Sequence, residues 1–201
     1  MNARLLSFIL VGFVIGALAG AAMLLVNGPH AGRPVESSGT ALIGGPFSLV
    51  GGEDGETVTD RDFRGRYRLV FFGFTHCPDI CPGELQVIAQ ALDLLGDKAA
   101  EVVPIFITLD PERDTPQIMA GYVESFGPNF VGLTGSPEAI AAVAKEYRVT
   151  YAKVENKDSP GDYSVDHSAL VYLMDPDGKY LTHFAYGTSA QQMADSLARF
   201  L

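Results

Sequence analysis

Cysteine is almost missing from this chain of 201 residues: Cys77 and Cys81 are the only two. That scarcity excludes a small secreted scaffold held by several disulfides. It also excludes an all-cysteine structural zinc site, which needs a second pair. Basic side chains are few as well, 14 Lys and Arg against 24 Asp and Glu, for a formal charge of -10. An acidic balance disfavours nucleic acid and anionic membrane surfaces as partners. Internal repeats and low-complexity tracts are absent, so no solenoid or repeat array is in question. Once the N-terminal segment is set aside, the remaining length suits one ordinary domain with a full core. Such a domain needs no covalent staple, and the two cysteines call for another explanation.

What is present begins with an apolar run, Leu5 to Val26, broken only by Ser7. At 1.5 Å per residue it spans about 33 Å, enough for a bilayer core of about 30 Å. Ala17-Leu18-Ala19 resembles a signal-peptide cleavage site, but the run continues through Met23-Leu24-Leu25-Val26. A signal peptide's apolar region is usually about 7–15 residues. The length predicts an uncleaved anchor. Arg4 before the span and Arg33 after it leave its orientation open on charge alone. Gly12, Gly16 and Gly20 line one face, which fits either a helix-pairing stripe or ordinary transmembrane glycine usage. Residues 27–45, rich in Gly, Pro and Ser, read as a tether, with His30 solvated in it.

The domain is expected from Pro46 onward. Residues 47–50 and 57–59 read as short strands flanking a glycine turn. Tyr67 to Thr75 reads as a buried strand of aromatic and β-branched residues. A helix follows from about Pro82 to Leu95, then a strand from Val102 to Leu109. That spacing predicts a parallel βαβ unit with a right-handed crossover. Helices are expected after Asp114 or Thr115 and after Ser136, each with proline near its first position. A short extended piece, residues 130–133, lies between them. Residues 154–163 are polar and read as a loop. Ala169 to Met174 and Tyr180 to Tyr186 read as a hairpin around Asp175-Pro176-Asp177-Gly178. Ser189 caps a last helix. This order is an α/β, thioredoxin-like arrangement with an N-terminal extension and an inserted helical segment, preceded by one transmembrane helix.

Both cysteines fall where the strand ends and the helix begins. Unpaired N–H groups and the helix dipole favour thiolate there, so at least one thiol is expected below the free value of about 8.5. Glu84 is expected to favour the same positive end. In the thioredoxin-type layout the hairpin's first strand runs antiparallel to the central strand. Its beginning, just after His167, then lies beside the cysteine turn. Cys77, Cys81 and His167 would supply two sulfurs and one nitrogen, a soft set that suits copper, with zinc plus a water as the competitor. A plain disulfide would close a very short loop, with a stabilisation of about 2 kcal/mol against about 4.7 for a 100-residue loop. Three residues between the cysteines also depart from the Cys-x-x-Cys of common thiol oxidoreductases. His76, adjoining Cys77, is expected to point away from the sulfurs, and His183 to be structural. Asp79 and Asp166 flank the proposed ligands as outer partners or as solvated carboxylates.

The stretch Gly73-Phe74-Thr75-His76-Cys77-Pro78-Asp79-Ile80-Cys81-Pro82 resembles the signature of the SCO/SenC family, the copper-binding proteins of cytochrome c oxidase assembly. Asp110-Pro111-Glu112-Arg113-Asp114-Thr115, Gly132-Leu133-Thr134-Gly135 and Val165-Asp166-His167 agree with it. The resemblance runs from about Pro46 to the C-terminus. It implies a membrane-tethered thioredoxin-like domain with copper on Cys77, Cys81 and His167. It implies residues 1–4 inside, a single span across a bacterial inner membrane, and the domain in the periplasm. The implied partners are the copper-bearing subunit of the oxidase and other copper chaperones. A thiol–disulfide oxidoreductase acting on the oxidase's cysteines is the alternative. A thiol peroxidase on the same fold would have no use for a ligand histidine opposite the pair.

Overall fold

Strand β3 (Tyr67–Gly73) explains the arrangement best, because almost every side chain on it is buried. Leu69, Val70, Phe71 and Phe72 point to both faces, and such a continuous apolar run suits only a central strand covered on both sides. Strand β4 (Val102–Thr108) has the same character and pairs with it in parallel, Phe71 opposite Phe106 and Gly73 opposite Thr108. The computed structural model describes residues 43–156 and 162–201. These belong to one compact unit, Ala41–Leu201. The predicted span at 5–26 and most of the tether lie outside the described residues. Among the described residues, no helix is long and apolar enough to cross a membrane. Residues 43–45, read as the end of the tether, already lie against the domain: Ile43 packs on the core and the Gly44 N–H donates to the Glu146 carbonyl at 2.9 Å.

The remaining strands build outward from this pair. β1 (Ser48–Gly51) and β2 (Glu56–Thr59) form an antiparallel hairpin, and β1 also pairs with β5 (Val131–Thr134). β8 (Leu170–Met174) runs antiparallel to β3, and β9 (Tyr180–Ala185) completes that hairpin. The seven-stranded order is β2-β1-β5-β4-β3-β8-β9. Its last turn is the predicted one: the Gly178 N–H donates to the Asp175 carbonyl at 2.9 Å, with Gly178 at φ +87°. Helix α1 (Ile80–Leu95) is the crossover from β3 to β4. α2 (Pro116–Glu124) and α3 (Pro137–Glu146) begin with proline after Thr115 and Ser136, whose hydroxyls accept the N–H groups of Ile118 and Ala139. α4 (Ala190–Leu197) starts with a reciprocal capping box between Ser189 and Gln192.

One expectation fails. Residues 154–163 are not simply a loop: β6 (Tyr151–Glu155) and β7 (Tyr163–His167) pair antiparallel as a separate two-stranded sheet. Its faces are mostly solvated, and Val165 is the only fully buried side chain of the ten in its strands. Without a core to cover, the pair lacks the apolar alternation that marks strands in a sequence.

Candidate metal centre

The cysteine turn is built on Gly73. A β-carbon there would lie 2.6 Å from Cys81 Sγ and 2.8 Å from Phe106 Cε2, so any larger residue would push the sulfur or the ring aside. Cys77 lies in the loop after β3, and Cys81 is the second residue of α1. Pro82 is third, still within the first turn where a missing N–H costs nothing. Asp79 holds the N-cap position but makes no capping bond. The Cys77 sulfur takes that place, accepting the Cys81 N–H at 3.4 Å. Both thiols are free, Cys77 half-buried and Cys81 buried.

His167 ends β7 and meets the turn from the far side. Its Nε2 lies 3.7 Å from Cys81 Sγ, while Nδ1 lies 3.1 Å from the Ser168 carbonyl. That carbonyl can only accept, so Nδ1 carries the proton and Nε2 presents a lone pair toward the sulfur. The ring packs on Phe71 and Phe74, at centroid distances of 6.3 and 6.1 Å. Burial lowers the imidazole's pKa and favours the neutral form that binds metals. An ion bound about 2.3 Å from sulfur and about 2.1 Å from nitrogen at trigonal to tetrahedral angles sets those donors about 3.7 Å apart. The pair therefore already has ion-binding spacing. Among the described residues, no three His, Cys, Asp or Glu side chains are closed into a finished cage. The remaining soft side chain nearby is Cys77, on the loop before α1, whose sulfur lies 3.4 Å from the Cys81 nitrogen.

Burial acts against the expected thiolate. It pushes the Cys81 thiol well above its ordinary value, and the Cys77 and Asp114 charges push the same way. The opposing pull comes from a hydrogen bond with the Phe74 backbone. A low dielectric favours the neutral thiol until a cation arrives. Glu84 also departs from expectation. It is 2% exposed, facing inward from the second turn of α1, with one carboxyl oxygen unpartnered, and burial raises its pKa to about 7.

His76 and His183 fall where expected. His76 is exposed and turned from the sulfurs, its Nδ1 3.2 Å from Thr75 Oγ1 and 3.8 Å from the Asp114 carboxylate. His183 stacks on Tyr180 and meets its hydroxyl at 2.6 Å on strand β9. His30 lies outside the described residues. Asp79 and Asp166 are exposed.

Sequence reasoning missed the bracket that sets the two halves of the site. Asp114 is fully buried and accepts the Thr75 N–H at 3.0 Å and the hydroxyls of Thr75 and Thr108 at 2.5 Å each. It thereby buckles the cysteine loop to the end of β4. Asp110, also fully buried, pairs with Arg113 and accepts the Tyr163 hydroxyl at 2.8 Å. Arg113 donates to the Tyr163 carbonyl at 3.1 Å and covers its ring at 3.8 Å. One five-residue segment thus ties down both the cysteine loop and the strand that ends in His167. The sequence signal was Asp110-Pro111-Glu112-Arg113-Asp114 itself, an acidic run directly after a fully buried strand. A cleft of about 310 Å³ opens beside the donors, lined by Phe74, Cys77, Pro78, Ile80, Val165 and His167 among others.

Comparison with known proteins is consistent throughout the domain. Protein SCO1 homolog 1, mitochondrial, of Arabidopsis thaliana is 46% identical over 164 residues, covering 81% of this chain and 48% of that protein. The chain spans about half the length of such relatives, 54% in the human one. The structure of Bradyrhizobium japonicum ScoI with copper bound superposes with a TM-score of 0.72 at 47% identity, covering 79% of this chain and 99% of that one. A more distant structure, BsSco, has a TM-score of 0.60 at 26% identity over 77% of this chain and 89% of its own. It is described by a disulfide switch and as a member of the Sco family of cytochrome c oxidase assembly proteins. The SCO1/SenC family profile matches residues 35–201, and with these likenesses to the Sco structures the chain belongs to the SCO1/SenC family.

Proposed function

We propose that this protein is a copper chaperone that hands copper to a respiratory cytochrome c oxidase during assembly. Cys77, Cys81 and His167 hold the cargo. The observation that carries the reading is the Cys81 Sγ to His167 Nε2 separation of 3.7 Å, with Nδ1 occupied by a carbonyl. The copper-bound structure of a 47% identical relative supports the choice of metal. Loading exchanges two thiol protons for one cuprous ion, giving two thiolates, a neutral imidazole and a site charge of -1. Unloading is ligand exchange: incoming thiolates of the oxidase subunit displace the donors one at a time. Cys77, half-buried and on the cleft, is placed to leave first. Residues 5–26 hold the domain on the periplasmic side of a bacterial inner membrane.

The exposure of Cys77 also favours a second reading, reduction of the oxidase's cysteines. There the Cys77 thiolate attacks the partner disulfide and Cys81 resolves the mixed disulfide. Two electrons pass to the partner and a Cys77–Cys81 disulfide remains. His167→Ala separates the two. It leaves both thiols, so reduction of a small disulfide substrate is expected to continue. It removes one of three copper donors, so copper affinity is expected to fall steeply or the coordination to change. In cells lacking the native protein, this variant is expected to lose oxidase activity if delivery is the essential task and to keep it if reduction is. Wild-type copper affinity and coordination in His167→Ala would remove the histidine from the site.

A further inference from the structure

Among the described residues, strand β7 has a neighbour on one edge only, β6. The bonds that close the two ends of this pairing run from the Asn156 N–H to the Asp162 carbonyl at 2.9 Å and from the Ser168 N–H to the Thr150 carbonyl at 3.2 Å. Antiparallel ladders alternate hydrogen-bonded and non-hydrogen-bonded residue pairs. With Val165 opposite Lys153, Ser164 and Asp166 therefore turn their N–H and C=O groups to β6, and Tyr163, Val165 and His167 turn theirs away. Arg113 takes the outward carbonyl of Tyr163 at 3.1 Å. The outward N–H and C=O of Val165 find no partner among the described residues, although Val165 is only 3% exposed. Backbone groups so little exposed are nearly always paired. The space they point into is the cleft of about 310 Å³ beside the proposed donors, lined by Ser164, Val165, Asp166 and His167 in succession. One face of a strand presents alternate residues, so an unbroken run marks a cleft along the strand's edge. The cysteine loop lines the same cleft through Cys77, Pro78 and Asp79. Its volume is at the low end of the usual pocket range of about 300–1,000 Å³. That room suits a short extended segment and not a folded element. Asp79 and Asp166 stand exposed at the rim, and the whole chain carries a charge of -10, so basic side chains suit the segment's flanks.

We propose that the outward edge of β7 at Val165 is a docking site for one extended, cysteine-bearing segment of the partner with basic flanks. The segment adds a third strand to the arm. Its backbone pairs with the Val165 N–H and C=O, and its cysteine comes to lie along the cleft that holds Cys77. Main-chain bonds supply the grip and the rim carboxylates select the charge. This rests on the reading above that a partner's cysteine meets Cys77.

A disulfide trap tests this on the full chain in detergent. Cys81→Ala leaves Cys77 as the only thiol. The probe is the capped peptide Lys-Val-Cys-Val-Lys, its cysteine activated as a mixed disulfide with thionitrobenzoate. The Cys77 thiolate attacks the peptide sulfur and thionitrobenzoate leaves, so one S–S bond replaces another with no net redox change. In this adduct the Val165 amide is expected to exchange its hydrogen about tenfold more slowly than in the mercaptoethanol adduct. The Asp166 amide, bonded to β6, should exchange alike in both. A peptide methylated at every backbone nitrogen is expected to couple and to leave Val165 unprotected. Equal Val165 exchange in all three adducts would overturn the proposal, as would protection that survives methylation. At low salt the lysine peptide is expected to couple about tenfold faster than Glu-Val-Cys-Val-Glu. Equal rates would overturn the basic character of the segment. The trap contains no metal, and copper uptake by wild type is measured apart, so the docking site and the copper reading stand or fall separately.

Discussion

Glu84 is a carboxyl in a place that suits its neutral form. Its pKa rises from 4.5 to about 7 because burial penalises the charge. Below about pH 4.5 the group is protonated in folded and unfolded chains alike and contributes no difference. Between 4.5 and 7 the unfolded chain releases the proton while the folded chain keeps it, so stability falls as pH rises and then levels off. Glu84→Gln is expected to match wild type near pH 4.5 and to exceed it by about 3 kcal/mol at pH 8. Denaturant melts of both proteins at the two pH values measure this. An equal difference at both would show that Glu84 acts through packing alone. Nothing in the sequence distinguished this glutamate from a surface one near a helix start. The pairing of Cys77 and Cys81 at a strand-to-helix junction was legible, because proline and a buried strand mark that junction. The protonation preference of Cys81 was not, since it depends on Gly73 and Phe106 closing over the sulfur.

At the scale of elements, the β6–β7 hairpin behaves as an arm held onto the domain by few bonds. Only Val165 buries fully, and Asp110 and Arg113 supply the polar grip through Tyr163. Tyr163→Phe removes the hydroxyl from Asp110 and leaves the ring beneath Arg113. The arm is expected to open roughly 1–2 kcal/mol more easily, about tenfold faster exchange of its amide hydrogens. Amides of β3 and β4 should keep wild-type protection. Unchanged exchange along residues 163–167 would show that the bracket does not hold the arm. The central strands and the caps at Thr115, Ser136 and Ser189 could be read from the chain because their residue types serve the element they lie in. The arm could not, since a strand pair with two wet faces resembles a polar loop. His167 was still placed correctly beside the cysteines, because β8 starts at the end of β3 whichever way the arm is drawn.

For the whole molecule, the net charge of -10 favours approach of a cation over that of an anion. Exposed Asp79 and Asp166 add to that field next to the donors. The proposed tether would add a second constraint, the plane in which partners are met. If residues 5–26 anchor the chain, the mature protein is expected to keep its N-terminus and to stay with membranes through a carbonate wash. A fragment beginning near Pro34 is expected to be soluble. Recovery of a soluble mature form starting near Ala21 would refute the anchor. The overall architecture was readable because the order of elements leaves one sheet that buries every apolar strand.

The spacing of the donors along the chain has a further consequence. His167 stands 86 residues beyond Cys81. An unfolded or half-made chain offers two neighbouring thiols and no more. The proposed third donor, His167, arrives only after β8 has found β3 and the arm has settled on Arg113. Full affinity is therefore a property of finished molecules, and the ion in turn stabilises the folded state that binds it. On the proposed copper reading, loading would double as an inspection: a chain that has folded wrongly would hold its cargo loosely and hand on little.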